Sequence, residues 1–214
     1  MEKKLVIEIL KKLPFEELSK KLSDKSEKID SGSAACITAS LAASLLKRAA
    51  ETAEKPDEAD KDRIDYICRN TEIIRNYMVH LIDEDVRCRG PIRKAAEDGD
   101  PLKISACCQS ACAIAFETMD MMKALLDFCD EFCALFSENI SHYVFEAASL
   151  AYSSVETAAA YIGSVMRLSD DSTDIYVTNR QTEIYMEECR KLKEKVFSAY
   201  KSLGTYEVKN EQRY

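Results

Sequence analysis

Glycine and proline are scarce in this 214-residue chain, at five and four residues, where average usage of about 7% and 5% would give roughly 26 together. So little turn chemistry excludes a many-stranded β protein, and helices become the expected fabric. Histidine is scarcer still, with only His80 and His142. Neither has the Glu-x-x-His spacing of a di-iron helix bundle, because Tyr77 and Asn139 stand at the glutamate positions. No glycine-rich phosphate loop, dinucleotide fingerprint or nucleophile elbow occurs. The longest stretch without a charge, Ser31 to Leu46, is sixteen residues rich in Ala, Ser and Thr. It is too short and too polar to span a bilayer, so no membrane partner is expected. Basic residues are the minority, 30 against 38 acidic ones, leaving a net charge of −8. A grip on a phosphate backbone needs clustered cations, so nucleic acid is not an expected partner.

Cysteine, by contrast, is abundant. The nine residues are odd in number and sit inside helical apolar runs, which favours buried free thiols in a reduced, cytoplasmic compartment over a disulfide scaffold. Cys108/Cys112 and Cys129/Cys133 are each one helical turn apart. Free cysteine packs as a small hydrophobe, so no metal site is expected at either pair. The opening run MEKKLVIEILKKL has charges on both sides of a short apolar stretch and no small-residue cleavage site, so it does not read as a secretory signal.

At about 150 residues per domain the length fits one domain, taken as residues 1–204 with a polar tail over 205–214. The pattern predicts short helices over Glu2–Lys12 and from Pro14, then helices over Ser33–Glu54 and Glu58–Arg89. Gly90-Pro91 is expected to break or kink the latter before a short helix to Glu97. Asp100-Pro101 is a strong start signal for a helix to about Ser137. Two more follow, Asn139–Leu168 and Thr173–Leu203, with Gly204 placed to close the last. The segments 33–46, 104–116 and 147–166 are rich in small residues and nearly free of charge, which marks them as the central helices. Met119, Met121 and Met122 read as core or interface filler. The fold class is therefore all-α, a bundle of long helices with short N-terminal helices.

One acidic run stands out. The stripe Ile64, Ile67, Thr71, Ile74, Met78, Leu81 leads at helical spacing onto Asp85, which must project from the buried face with Asp83 and Glu84 to either side. A carboxylate there is costly unless it is paired, neutralised or facing a wet cleft. One reading is a functional carboxylate. The other is an Asp bonded to a nearby hydroxyl or Arg, with Asp83 pairing Arg87 one turn on. The two histidines read as solvated or at the core edge.

The run Ser31-Gly32-Ser33-Ala34-Ala35-Cys36, the small residues to Leu45, the motif Leu81-Ile82-Asp83-Glu84-Asp85 and Pro101 opening a long helix together resemble the formiminotransferase-cyclodeaminase C-terminal family over about residues 10–200. That family includes methenyltetrahydrofolate cyclohydrolases of similar length. The resemblance implies a helical homodimer that closes formimino-tetrahydrofolate to the methenyl form with loss of ammonia, or hydrates the methenyl form. It implies no cofactor beyond the tetrahydrofolate derivative itself. Of the family's Pro-Gly-Gly-Gly-Ser start, Gly32 and Ser33 remain, with Asp30 and Ser31 in place of the first two glycines. The acidic motif places the catalytic carboxylate at Asp85, and the resemblance makes Gly32, Ser33, Asp83, Glu84 and His142 the substrate-binding residues. The family's Ser-Asp pair falls on His142 and Tyr143, and its Asn-Val-x-x-Asn falls on Tyr161-Ile162-Gly163-Ser164-Val165. The N–H groups at the start of the helix from Ser33 would suit a pterin carbonyl or the folate-tail carboxylate. Two classes stay open: a folate one-carbon enzyme with a drifted site, or a non-catalytic helical dimer that binds a folate-like ligand or a protein partner.

Overall fold

The computed structural model describes residues 10–24, 29–53, 58–135 and 142–202. Among these the regular structure is entirely helical. A 3-10 turn, Leu10–Lys12, is followed by α1 (Phe15–Ser23), α2 (Ser31–Thr52), α3 (Glu58–Asp98), α4 (Pro101–Leu135), α5 (His142–Met166) and α6 (Ser172–Ser202). Most of the helix expected over Glu2–Lys12 lies outside the described residues. Its last three form the 3-10 turn. The closing Gly204 and the 205–214 tail also fall outside them.

The helix signals act as expected, with small shifts. Pro14 stands one residue before α1, at the N-cap position and without a side-chain cap bond. Asp30 caps α2, its side chain accepting from the Gly32 amide at 3.0 Å, so α2 starts at Ser31 and not at Ser33. Asp100 accepts from the Leu102 and Lys103 amides, satisfying orphan donors at the start of α4. Asp171 does the same for Thr173 and Asp174 in α6. Gly99, at φ +67°, ends α3 in the left-handed conformation that suits glycine.

Gly90-Pro91 does not end the helix. α3 continues through Pro91 to Asp98. The proline forfeits one backbone hydrogen bond, but both residues are exposed, and continuing keeps Ile92 and Ala95 buried in the same stripe as Leu81 and Asp85. Burial of an Ile side chain is worth about 1.5–3 kcal/mol, comparable with the roughly 3 kcal/mol an interior proline costs.

Helices α2, α3, α4 and α5 form a ring in which each packs on the next and α5 closes onto α2, while α6 packs against α4 and α5. α6 runs parallel to α4, as Ser105–Asp174, Lys123–Glu188 and Asp130–Lys195 meet in step along the pair. The charge-poor segments lie in the ring as expected, with Ala39, Ala42, Ala43, Ala111, Ala115, Ala147, Ala151 and Ala158 fully or nearly fully buried. Small side chains let backbones approach closely. One buried cross-link exploits this, with Ser154 Oγ donating to the Ala35 carbonyl at 2.8 Å and tying α5 to α2. All nine cysteines are free thiols. Among the described residues no helix is long and apolar enough to cross a membrane.

Candidate active site

The stripe read from the sequence holds along α3. Ile64, Ile67, Thr71, Ile74, Met78 and Leu81 are all buried, and the next step delivers Asp85 at 0% exposure. It meets the first turn of α2. Ser33 Oγ donates to Asp85 Oδ2 at 2.7 Å, and Gly32 lies against the carboxylate so closely that a Cβ there would stand 2.2 Å from Oδ1. Only glycine allows that approach. The start of α2 carries the positive end of the helix dipole, which favours a carboxylate.

Two further carboxylate partners complete this corner. Arg89, one turn beyond Asp85 on α3, places a guanidinium nitrogen 3.6 Å from Asp85 Oδ2. The same guanidinium pairs with Asp30, the α2 cap. Asp30 thus fixes the α2 terminus by its cap bond and ties it to α3 through Arg89. From α5, Tyr161 reaches the cluster at 2% exposure.

Burial pushes the Asp85 pKa above the ordinary carboxylate value. The Ser33 hydroxyl, Arg89 and the Tyr161 hydroxyl oppose the rise, Asp30 adds to it, and the net shift is upward. The Tyr161 phenol is raised as well, first by burial and then by the Asp85 charge. Cys36, one turn after Ser33 and 3.5 Å from the Thr118 hydroxyl, is pushed by burial to about 12. It is therefore a neutral thiol, not a nucleophile. Asp85 Oδ1 and Tyr161 Oη make no hydrogen bond of ordinary length and angle, yet the phenol stands close enough to Asp85 to lower its pKa as a hydrogen-bond donor.

A carboxyl group raised toward neutrality, with the Ser33 hydroxyl on one oxygen and the Tyr161 phenol close by, is suited to accept and return a proton. Among the described residues no group of three His, Cys, Asp or Glu side chains is placed to hold a metal ion.

Of the residues singled out from the sequence, the fold brings Gly32, Ser33 and Asp85 together. The others engage different partners. Asp83, 5% exposed, points to the N-terminal segment, where it accepts from the Lys11 amide at 3.4 Å and pairs with the Lys11 ammonium at 3.7 Å. The expected Asp83–Arg87 pair does not form, because the 3-10 turn packs on α3 and supplies Lys11 instead. Arg87 pairs with Glu84, which also lies 3.8 Å from His80. His142 is exposed in the first turn of α5 and packs on Tyr143. It stands nineteen residues before Tyr161, about 28 Å along the helix at ~1.5 Å per residue. The α2 N-terminus is also not open as expected: Asp30 takes the Gly32 amide and Asp85 covers the glycine, so the chain's own carboxylates fill the anion position.

Arg89, Asp30 and Tyr161 are members of the cluster that residue-level reading did not assign. Arg89 was signalled by its four-residue spacing from Asp85. Asp30 was signalled by cap chemistry ahead of Gly32. Nothing local marks Tyr161, whose only signal is that it stands at the first asparagine of the resembled motif.

The family model described as Formiminotransferase-cyclodeaminase matches residues 14–183. Among solved structures, the crystal structure of formiminotetrahydrofolate cyclodeaminase from Thermotoga maritima is similar, at TM-score 0.83 and 14% identity, over 91% of this chain and 99% of that one. At that identity the likeness concerns the fold. No match was found among curated proteins.

Proposed function

The chain belongs to the formiminotransferase-cyclodeaminase family, and from that premise we propose that it converts a formimino- or methenyl-tetrahydrofolate, with Asp85 as the acid–base group. The observation that carries this reading is the Asp85 carboxyl itself: buried on the α3 stripe, raised by that burial, and held at Oδ2 by Ser33 against the start of α2. In the deaminating direction a folate nitrogen attacks the carbon of the formimino group in its protonated, amidinium form, so the nitrogen to be lost already carries two hydrogens. Asp85 takes the proton that nitrogen sheds and passes it to the departing nitrogen, which leaves as ammonia. In the hydrating direction Asp85 takes a proton from water as its oxygen bonds to the methenyl carbon. The methenyl group is a cationic amidinium, so a carboxylate beside it also stabilises the charge that develops. Gly32 and Ser33 fix the carboxylate, and no separate cofactor is required.

A homodimer accompanies this reading. The charge-free run Ser31–Leu46 leaves Leu41 49% exposed on the outside of α2, an uncharged surface suited to a second copy. The nine free thiols fit a reducing cytoplasm.

A second reading, a helical dimer that binds a folate-like ligand or a protein partner without turnover, is favoured by two observations. Asp85 has no exposed surface, and Tyr161 stands where the resembled motif has asparagine. Incubating purified protein with methenyl-tetrahydrofolate and following its absorbance, beside a folate-binding titration, separates the two. Turnover supports the enzyme, and saturable binding without turnover supports the second reading.

A further inference from the structure

Tyr161 reaches the Asp85 cluster from α5, and the packing of α5 on α2 explains how. Arg48 of α2 lies over the Tyr143 ring near the start of α5, and Ser154 further along α5 donates to the Ala35 carbonyl. The two helices therefore run antiparallel. Tyr161 stands seven residues beyond Ser154, about 10 Å along the helix, which brings it to the level of the Asp30 cap. Helical side chains lean toward the N-terminus of their own helix. For Tyr161 that direction leads back to the level of Ser33 and Asp85.

At 2% exposure the phenol is shut off from solvent, and among the described residues its oxygen makes no hydrogen bond of ordinary length and angle. Buried hydroxyls are satisfied in the great majority of cases. On the carboxyl, Oδ2 takes the Ser33 hydroxyl and faces Arg89, while Oδ1 is the oxygen without such a bond. Gly32, against which Oδ1 lies, gives its amide to Asp30.

We propose that Tyr161 is a positioning residue for Asp85, its phenol donating to Oδ1, so that a hydroxyl from α2 grips one oxygen of the carboxylate and a hydroxyl from α5 grips the other. The Ser154 bond holds α5 in place, so the contact closes by adjustment of the two side chains. Asparagine, the residue of the resembled motif at this place, offers an amide on a shorter side chain; tyrosine offers one donor on a longer, rigid ring. A donor to Oδ1 favours the charged form and offsets part of the burial that raises Asp85. Its value in turnover rests on the proposed function: Asp85 stays available as a base at lower pH than burial alone would allow. The other ionisable groups around the pair are Asp30, Arg89 and the Cys36, Cys88 and Cys112 thiols. Asp30 and Arg89 pair with each other, and burial raises all three thiols, which keeps them neutral while Asp85 titrates.

The test follows Asp85 directly. Its side-chain carboxyl carbon, isotope-labelled and identified by its loss in Asp85→Asn, is titrated by NMR in wild type and in Tyr161→Phe, which keeps the ring and removes the donor. The expected result is a carboxyl that titrates at higher pH in the folded variant. An unchanged titration overturns the proposal, even with a lowered Tm, because a merely structural phenol would move Tm alone. A crystal structure of the wild type needs no variant: Oη within hydrogen-bond distance of Oδ1 supports the bond, and Oη given to another acceptor overturns it. Turnover is a separate readout, in which the acid limb of the pH–rate profile should move up with the titration while the plateau rate changes little. A titration that moves in a protein without turnover keeps the bond and removes the proposed activity, whereas turnover with an unmoved titration removes this inference alone.

Discussion

Gly32 and Asp85, fifty-three positions apart in sequence, meet so closely that the glycine Cα serves as the floor of the carboxylate site: a Cβ there would stand 2.2 Å from Oδ1 and 2.8 Å from the carboxyl carbon. The backbone at Gly32 is ordinary helix, so the requirement for glycine is one of space alone. Gly32→Ala must push Asp85 off Ser33. Overpacking of this kind costs about 1–3 kcal/mol, and in a chain of this size each kcal/mol lowers Tm by roughly 2–4 °C. Calorimetry should show a drop of roughly 2–12 °C. Wild-type Tm together with unaltered activity would contradict the packing described.

Asp85 also sets a pH dependence. Its folded pKa lies above the unfolded value of about 3.9, so between the two values the folded state binds more protons than the unfolded one. Stability from this group therefore falls as pH rises from just below 4 through the folded pKa. Contributions of other groups largely cancel between wild type and Asp85→Asn. The difference in Tm, wild type minus variant, should be more positive near pH 4 than near pH 7. A difference that grows with pH would mean that Ser33 and Arg89 outweigh burial.

Asp83 separates anchoring from catalysis. Its carboxylate accepts from the Lys11 amide and pairs with the Lys11 ammonium. Asp83→Asn should cost about 1 kcal/mol, the usual net worth of such a bond, and open the segment before α1 to limited proteolysis. Any folate turnover should persist. Loss of turnover at unchanged Tm would return Asp83 to the substrate site.

The thiols divide by burial. Cys36, Cys112, Cys133 and Cys189 are pushed to about 12, while Cys68, Cys88 and Cys107 are half-buried. A colorimetric thiol reagent at pH 8 should label at most these three rapidly in native protein and all nine after denaturation without reductant. Five or fewer in the denatured sample would indicate disulfides.

The stripe from Ile64 to Asp85 was legible because a 3.6-residue period survives over many turns and needs no knowledge of neighbours. So were the Asp100-Pro101 start and the central, small-residue helices. The continuation through Pro91 was not. Propensity sees the lost hydrogen bond but not the burial of Ile92 and Ala95 that offsets it. Within the site, one helix supplied Asp85 and Arg89 at readable spacing, and Gly32-Ser33 carried a cap signal. The partnership of Asp83 with Lys11, and of Asp85 with Tyr161, spans seventy-odd residues each. It depends on how separate helices pack, which no local pattern encodes.

The most direct measurement is the rate of methenyl-tetrahydrofolate hydration and formimino-tetrahydrofolate deamination, followed by absorbance, for wild type and Asp85→Asn. The amide keeps the shape and removes the proton-exchanging oxygen, and acid–base contributions of this kind are worth ~10²–10⁴ in rate. A folded variant slowed by that factor, with folate binding little changed, is the predicted result. Equal rates in the two proteins, or a wild type that binds folate and never turns it over, would contradict Asp85 as the acid–base group.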